Sequence, residues 1–120
     1  MDYKQVLKQW MDGVAAYYKD DTQMALEFFL QLEPISKVTF NIATIYCKQR
    51  DYGKANTFYS KALVADPYFA VASLQKGFTN VMLQKYDVAI DCYNHVLQVK
   101  VIIIIIIIIF KPRHSLMNIF

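Results

Sequence analysis

The side chains in this sequence that could carry out chemistry are few and far apart. Neither His95 nor His114 has a glutamate or a second histidine at the spacing of a helical zinc site, and no glycine-rich phosphate-binding loop occurs. The two cysteines, Cys47 and Cys92, stand alone without the spacing of a metal or redox motif. These residues predict a protein that is not an enzyme and that holds no cofactor and no metal.

Composition narrows the class of protein further. At 120 residues the chain is expected to form one small domain. Its net charge of +3 is weak, and it has no clustered basic stripe of the kind that binds nucleic acid. Isolated cysteines and a start without an apolar signal region favour a reduced, cytoplasmic location. The function that remains is the binding of other proteins.

One spacing of residues recurs along the chain and must organise its helices. Its clearest copy has Ala55, then Tyr59 four residues later, then Ala62 and a helix-ending Pro67. The Ala-x-x-x-aromatic part occurs twice more, as Ala25 with Phe29 and Ala89 with Tyr93. Small residues let one helix approach another closely, and the aromatic side chain fills the groove between them. This pattern is typical of the second helix of a tetratricopeptide repeat (TPR), so the sequence predicts an all-α, TPR-type helical solenoid of three helix pairs.

Apolar periodicity gives approximate bounds for these helices. Six helices are predicted near 3–18, 22–32, 36–49, 52–65, 70–83 and 86–99, forming a TPR domain over 3–99 with repeats of about 6–35, 36–69 and 70–100. We expect Ser36 and Asp51 to cap the helices that they precede. Equivalent positions where the partner helix should cross closely hold Gly13, Ala43 and Gly77. On the fifth helix, the residues expected to face the core are Val71, Leu74, Phe78 and Val81.

An irregular, isoleucine-rich tail is predicted after the TPR domain, over residues 101–120. Eight consecutive isoleucines lie between Val101 and Phe110. Because a bilayer span needs about 20 apolar residues, no transmembrane segment is expected. Isoleucine is β-branched, so an exposed run favours strand pairing and aggregation. A homopolymer is also typical of translated simple-repeat DNA, which favours a gene-model or splice artefact as the origin of the tail. A non-functional truncated product therefore stays an alternative.

Stacked helix pairs form a concave groove that binds partners in many repeat proteins. One known use of such a groove is a clamp of basic residues and asparagines that holds the C-terminal carboxylate of a chaperone. Asn41 occupies one clamp position, but the other four hold Trp10, Val14, Val71 and Gln75. None of these four side chains can bind a carboxylate by charge. The sequence therefore argues against a chaperone clamp.

Beyond the generic repeat, residues from about 5 to 98 resemble one family, the N-terminal TPR domain of the cytosolic activator subunit of phagocyte-type NADPH oxidases (the neutrophil cytosol factor 2 and NADPH oxidase activator family). The residues that carry the resemblance are Trp10, Gly13-Val14, Ala25-Leu26, Pro34, Ser36, Phe40-Asn41-Ile42, Tyr46, Ala70-Val71-Ala72, Gln75, Gly77, Lys85-Tyr86-Asp87 and Ala89-Ile90. A first repeat shortened by four residues is shared as well. The resemblance implies a cytoplasmic regulatory adaptor that binds the GTP-loaded small GTPase Rac and promotes superoxide production by the oxidase complex.

The resemblance also implies where Rac would bind, on an edge formed by the loops between repeats and by a hairpin inserted after the third repeat. Ser36 and Asp66 match contact positions of the family, and Tyr68 stands where the family has a histidine. The family hairpin carries an arginine, whereas this chain has the isoleucine run there and Lys100 as the nearest cation. The family's fourth repeat and activation segment do not follow in this sequence. A generic TPR scaffold with an unidentified partner therefore stays the alternative function.

Overall fold

A computed structural model describes residues 1–110 of the chain, and within those residues it contains six α-helices and no β-strand. The helices are α1 (Tyr3–Tyr18), α2 (Thr22–Leu30), α3 (Ser36–Lys48), α4 (Tyr52–Ala65), α5 (Ala70–Met82) and α6 (Tyr86–Phe110). Each helix packs on the next along the chain, so that the pairs α1–α2, α3–α4 and α5–α6 stack in sequence order. The all-α solenoid of three helix pairs predicted from the repeat spacing is confirmed.

The last helix differs from the prediction. Helix α6 does not end near residue 99 but continues through the isoleucine run to Phe110, so the irregular tail is wrong for residues 101–110. No proline or glycine stands in this segment to stop the helix. Extending a formed helix adds one hydrogen bond per residue, and this outweighs the modest helix propensity of isoleucine, at most about 0.7 kcal/mol per residue below alanine. The rest of the predicted tail, from Lys111 onward, lies outside the described residues.

In each helix pair, an aromatic ring of the second helix lies against a small residue of the first. The three pairings are Gly13 with Phe29, Ala43 with Tyr59, and Gly77 with Tyr93. A Cβ atom added at Gly13 would lie 2.5 Å from Cε1 of Phe29, and one at Gly77 would lie 2.7 Å from Cε1 of Tyr93. The close crossing predicted at these positions is therefore present in all three pairs.

The turns inside the three pairs share one backbone motif. The second residue after the end of each first helix has a positive φ: 61° at Asp20, 62° at Arg50 and 60° at Gln84. In the second of these turns, the N–H of Asp51 donates to the carbonyl oxygen of Tyr46 at 2.9 Å. This is the Schellman arrangement, which satisfies the last carbonyl groups of a helix and usually places glycine at the positive-φ position.

The two predicted helix caps have different outcomes. Asp51 caps α4 as expected, because its carboxylate accepts a hydrogen bond from the backbone N–H of Lys54 at 3.2 Å. The predicted Ser36 cap is wrong, since the residue before α3 is Ile35 and no side chain caps that helix. Ser36 is instead the first residue of α3, and its hydroxyl donates to the carbonyl oxygen of Ala62 at 3.0 Å.

The face of α5 that packs against its neighbours is also not the one predicted. Val71, Leu74, Phe78 and Val81 are 50%, 46%, 44% and 36% exposed. The buried residues of α5 are Ala72, Ser73, Gly77, Thr79 and Asn80. The small ones allow close approach of α4 and α6, and the buried Asn80 amide donates to Oδ1 of Asn56 at 2.9 Å. The apolar stripe of α5 therefore remains on a face that no other described helix covers.

Two glycine substitutions should change stability in opposite directions. Gly13→Ala should lower the free energy of unfolding by about 1–3 kcal/mol, because the Phe29 ring that the new methyl group meets is fully buried and cannot move aside. Gly53→Ala should raise it by about 0.5–1 kcal/mol, since the nearest atom to the added Cβ is 3.9 Å away and alanine favours a helix. Chemical denaturation of both variants checks this, and equal destabilisation would contradict the proposed crossing.

The positive φ of Arg50 leads to a second prediction. Arg50→Gly should raise the free energy of unfolding by about 0.5–1 kcal/mol, because glycine removes the cost of left-handed backbone. The matched control is Gln49→Gly, one residue earlier at φ −79°, which should lower it because glycine there only adds flexibility to the unfolded chain. Thermal melting of both variants measures the difference. Two changes of the same sign would show that the turn does not have this geometry.

Candidate partner-binding edge

The loops that join one repeat to the next, residues 31–35 and 66–69, form one edge of the stack. Because consecutive helices run in alternating directions, these two loops lie at the same end of the helices, while the turns within the pairs lie at the other end. This inter-repeat edge is where the four predicted partner-binding residues should lie.

Ser36 and Asp66 meet on this edge at a single backbone group. The hydroxyl of Ser36 donates to the carbonyl oxygen of Ala62 at 3.0 Å, and the backbone N–H of Asp66 donates to the same oxygen at 2.9 Å. Both residues are half-buried, whereas Ala62 is fully buried in α4. The two loops of the edge are therefore fixed relative to each other through the end of α4.

Tyr68 lies in the second loop beside Asp66. Oδ1 of Asp66 accepts a hydrogen bond from the backbone N–H of Tyr68 at 3.1 Å, which makes a tight turn ahead of α5. The next residue, Phe69, packs its ring on Phe40 of α3 with centroids 5.0 Å apart. Tyr68 itself is 64% exposed. The loop thus presents a phenol and a carboxylate to solvent from an ordered backbone.

Lys100 lies at the same end of the stack but on a different helix. In the third pair, Oγ of Ser73 and Nδ1 of His95 are 2.7 Å apart, which aligns the start of α5 with the middle of α6. Five residues further along α6, or about 7.5 Å of helix rise, Lys100 reaches the level of the 66–69 loop and is exposed. The structure therefore brings Ser36, Asp66 and Tyr68 together, and it places Lys100 at their end of the stack without a direct contact among them.

The structure adds edge residues that the sequence did not indicate. Nζ of Lys61 on α4 lies 3.9 Å from Oε1 of Glu33 in the first loop, and both line a hollow with Pro34 and Val64. Val64 is 83% exposed. Of these residues, the sequence indicates exposure only for Val64. Its position in α4 is not on the buried face formed by Ala55, Tyr59 and Ala62. The ion pair joins residues far apart in sequence and has no local pattern.

A second surface is the groove between α1 and α3, with a cavity of about 140 Å³. It is lined by Val14, Tyr17, Tyr18, Phe29, Phe40, Asn41 and Thr44. None of these side chains is charged at neutral pH. Asn41 thus lines this groove. The side chains around it there are uncharged and cannot bind a carboxylate by charge, which agrees with the argument against a chaperone clamp.

The reactive side chains of α6 are arranged for packing. Burial raises the pKa of the Cys92 thiol, so the thiol rather than the nucleophilic thiolate is favoured at neutral pH. His95 is bound through Nδ1 to the hydroxyl of Ser73. Within residues 1–110, no cluster of histidine, cysteine and acidic side chains has the arrangement of a metal site. These residues therefore support the structure of the third helix pair.

Comparison with known proteins relates the chain to one group of regulators. Neutrophil cytosol factor 2 of Mus musculus is 32% identical over 91 residues, which are 75% of this chain and 17% of that protein. NADPH oxidase activator 1 of Rattus norvegicus is 30% identical over 89 residues, or 73% of this chain and 20% of that protein. The chain therefore spans about a fifth of the length of these relatives. A scan of protein-family models gives no match. The resemblance indicated by the sequence motifs is confirmed.

Solved structures establish the fold independently. The first TPR domain of Spaghetti (RPAP3) bound to an HSP90 peptide superposes with a TM-score of 0.75 at 18% identity, covering 82% of each chain. The Arabidopsis OM64 TPR domain superposes with a TM-score of 0.72 at 21% identity, covering 80% of this chain and 83% of that domain. At such low identity these matches show the fold alone. They confirm that the stack is a TPR solenoid.

The hydrogen bond between Ser36 and Ala62 should stabilise the edge measurably. Ser36→Ala should lower the free energy of unfolding by about 0.5–1.5 kcal/mol, because it removes a partly buried long-range hydrogen bond. The matched control is Ser60→Ala. The Ser60 hydroxyl only donates to the carbonyl of Asn56 within α4, so its loss should be neutral or slightly stabilising. Denaturant titration compares them, and equal effects would show that the Ser36 bond does not join the repeats.

Proposed function

We propose that this chain, whose helical repeats are related in sequence to part of neutrophil cytosol factor 2 and of the NADPH oxidase activators, is a non-catalytic cytoplasmic adaptor. In this role it would bind other proteins of an NADPH oxidase complex and so promote superoxide production. The observation that carries the proposal is identity of 30% or more, over about three quarters of the chain, to proteins named as activators. The TPR fold supports it, because such stacks act by presenting rigid surfaces to partners.

The partner that we infer is a GTP-loaded, Rac-type small GTPase, bound at the inter-repeat edge. The family resemblance assigns contacts to Ser36 and Asp66, and these residues are joined through the Ala62 carbonyl. A prearranged pair of loops loses little entropy on binding, so its contacts contribute more of their energy to affinity. The Asp66 carboxylate can accept hydrogen bonds from the GTPase, and the exposed Tyr68 ring adds area beside it.

The affinity should be low because one anchor of the family is missing. Helix α6 continues where the family inserts its arginine-bearing hairpin. Lys100 is the nearest cation, but its ammonium group is a single point charge and cannot form the two parallel hydrogen bonds of a guanidinium. The edge then relies on the two loops alone. Binding of GTP-loaded Rac by this chain should therefore be weak or undetectable until a hairpin is restored.

A generic TPR scaffold with another partner is the second candidate, and two surfaces favour it. The uncharged groove between α1 and α3 and the exposed apolar stripe of α5 offer surfaces suited to an apolar peptide. A partner in the groove between α1 and α3 would not contact Asp66, which is not among the residues that line it. Its binding would be unchanged by a substitution there, which separates the two candidates.

Titration calorimetry with GTP-loaded and GDP-loaded Rac tests the proposed partner. A chain given a family-type hairpin after Gln98 should bind the GTP-loaded form in preference, and Asp66→Asn in that background should weaken binding about tenfold or more, the loss typical of a charged contact. Asparagine keeps the oxygen that accepts from Tyr68, so the loop should be preserved. Asp87→Asn, an exposed aspartate at the start of α6 and at the opposite end of the helices, is the matched control and should have no effect.

Three results would each contradict one part of the proposal: the need for the hairpin, the Rac site, or the contact at Asp66. Tight binding by the unmodified chain would show that the hairpin is not required. Absence of binding by the hairpin-restored chain would argue against the inter-repeat edge as a Rac site. Equal effects of Asp66→Asn and Asp87→Asn would show that the contact is elsewhere on the surface.

A further inference from the structure

The end of α6 projects from the stack as a bare helix. Val99 is the last buried residue of α6, and every residue from Val101 to Phe110 is between 40% and 79% exposed. Because His95 lies beside Ser73 near the start of α5 and the two helices are antiparallel, the ten residues after Lys100 extend beyond the first residue of α5. They leave the stack at the end where the inter-repeat loops lie.

This projecting segment is apolar on every side. Ten consecutive residues make nearly three helical turns, so their side chains surround the helix axis. A second copy of the chain, or a protein groove, would pack against one face and leave the opposite face in water. Lipid acyl chains can surround all of it, and a helix that is hydrophobic all round is typical of a membrane or of the core of a large protein.

The charges around the segment match an anionic lipid surface. Lys100 comes directly before it, and Lys111 and Arg113 follow it in the sequence. No aspartate or glutamate occurs after Asp91. Basic residues next to an apolar helix are attracted to the negative surface of anionic bilayers, and long lysine side chains can reach the headgroups while the helix is immersed.

The length of the segment determines how it can lie in lipid. Helix α6 as a whole is long and apolar enough to cross a membrane by length and composition, but Ala89, Cys92 and Val99 in its first part are buried in the protein. The ten bare residues measure about 15 Å, half of the roughly 30 Å hydrocarbon core. With cations at both ends that must stay near headgroups, the segment fits along one leaflet, below the headgroups.

We propose that residues 101–110 are a membrane anchor, a helix that lies among the acyl chains of one leaflet, below the headgroups, in a bilayer containing anionic lipids. Three observations support this inference: the segment is exposed on all sides, basic residues stand at both of its ends, and it is ten residues long. The anchor holds the inter-repeat edge next to the membrane surface. It does not depend on Rac as a partner, since its ten apolar residues lie outside that edge and Lys100 alone is shared with it.

Vesicle flotation of the full chain tests the anchor. The probes are phosphatidylcholine vesicles with and without about a third phosphatidylserine, the kind of lipid that attracts basic segments. The test variant replaces Ile103, Ile104, Ile106 and Ile107 with glutamine, and the matched control replaces the same four with leucine. All four positions are exposed, so the stack should melt at the same temperature in both variants. The wild type and the leucine variant should float, and the glutamine variant should bind at least about tenfold less.

The charge contribution is measured with Lys100→Gln, which should reduce binding to the anionic vesicles severalfold and leave binding to neutral vesicles unchanged. The proposal is overturned if the wild type floats with neither vesicle, or if the glutamine variant floats as well as the leucine variant. It is also overturned if the wild type binds itself instead, forming oligomers through 101–110 that stay at the bottom of the gradient with vesicles present. Equal binding to neutral and anionic vesicles would refute the role of the basic residues.

Discussion

The structure depends on one contact that occurs in each helix pair, between an aromatic ring of the second helix and a small residue of the first. Phe29 meets Gly13, Tyr59 meets Ala43 and Tyr93 meets Gly77. Because interiors are close-packed, the missing side chain on one helix fixes how near the other can approach, and the ring leaves no space for a different crossing. Repeating one contact at one spacing gives each pair the same geometry, and equivalent loops then fall at the same end of the stack.

The candidate edge is a consequence of that packing. Ala62 belongs to the small residues that let α4 approach its neighbours, and it is completely buried. Its carbonyl oxygen accepts hydrogen bonds from the Ser36 hydroxyl and the Asp66 N–H. The loops proposed to bind a partner are therefore connected directly to the core of the second repeat. The edge is therefore held in place by the same close approach that forms the fold. The exposed C-terminal part of α6 also projects from the end of the stack where the inter-repeat loops lie. A membrane bound to that segment would therefore lie next to the partner-binding edge.

Much of the fold could be predicted from the sequence because its determinants are local and repeated. The spacing from Ala55 to Tyr59, which recurs along the chain, predicts the helix pairs. Turn residues such as Asp51 predict where helices begin. The end of α6 cannot be predicted from residue propensity, because β-branched residues favour strands in isolation, while a helix that is already formed extends through them. The apolar pattern of the α5 stripe containing Leu74 predicts a core face, but burial also needs an element that covers it, and this stripe is exposed. The role of Ser36 could not be predicted, since its partner Ala62 is far away in sequence.

Hydrogen exchange of the hairpin-restored chain, with and without saturating GTP-loaded Rac, tests the central claim that partners bind at the inter-repeat edge. Amide exchange reports which backbone segments become protected, so it locates the contact without a substitution. The account predicts slower exchange in 31–36 and 66–69 and unchanged exchange in the turns at 19–21, 49–51 and 83–85. Protection along α1 and α3 instead, with the two inter-repeat loops unchanged, would place the partner in the groove and contradict the account.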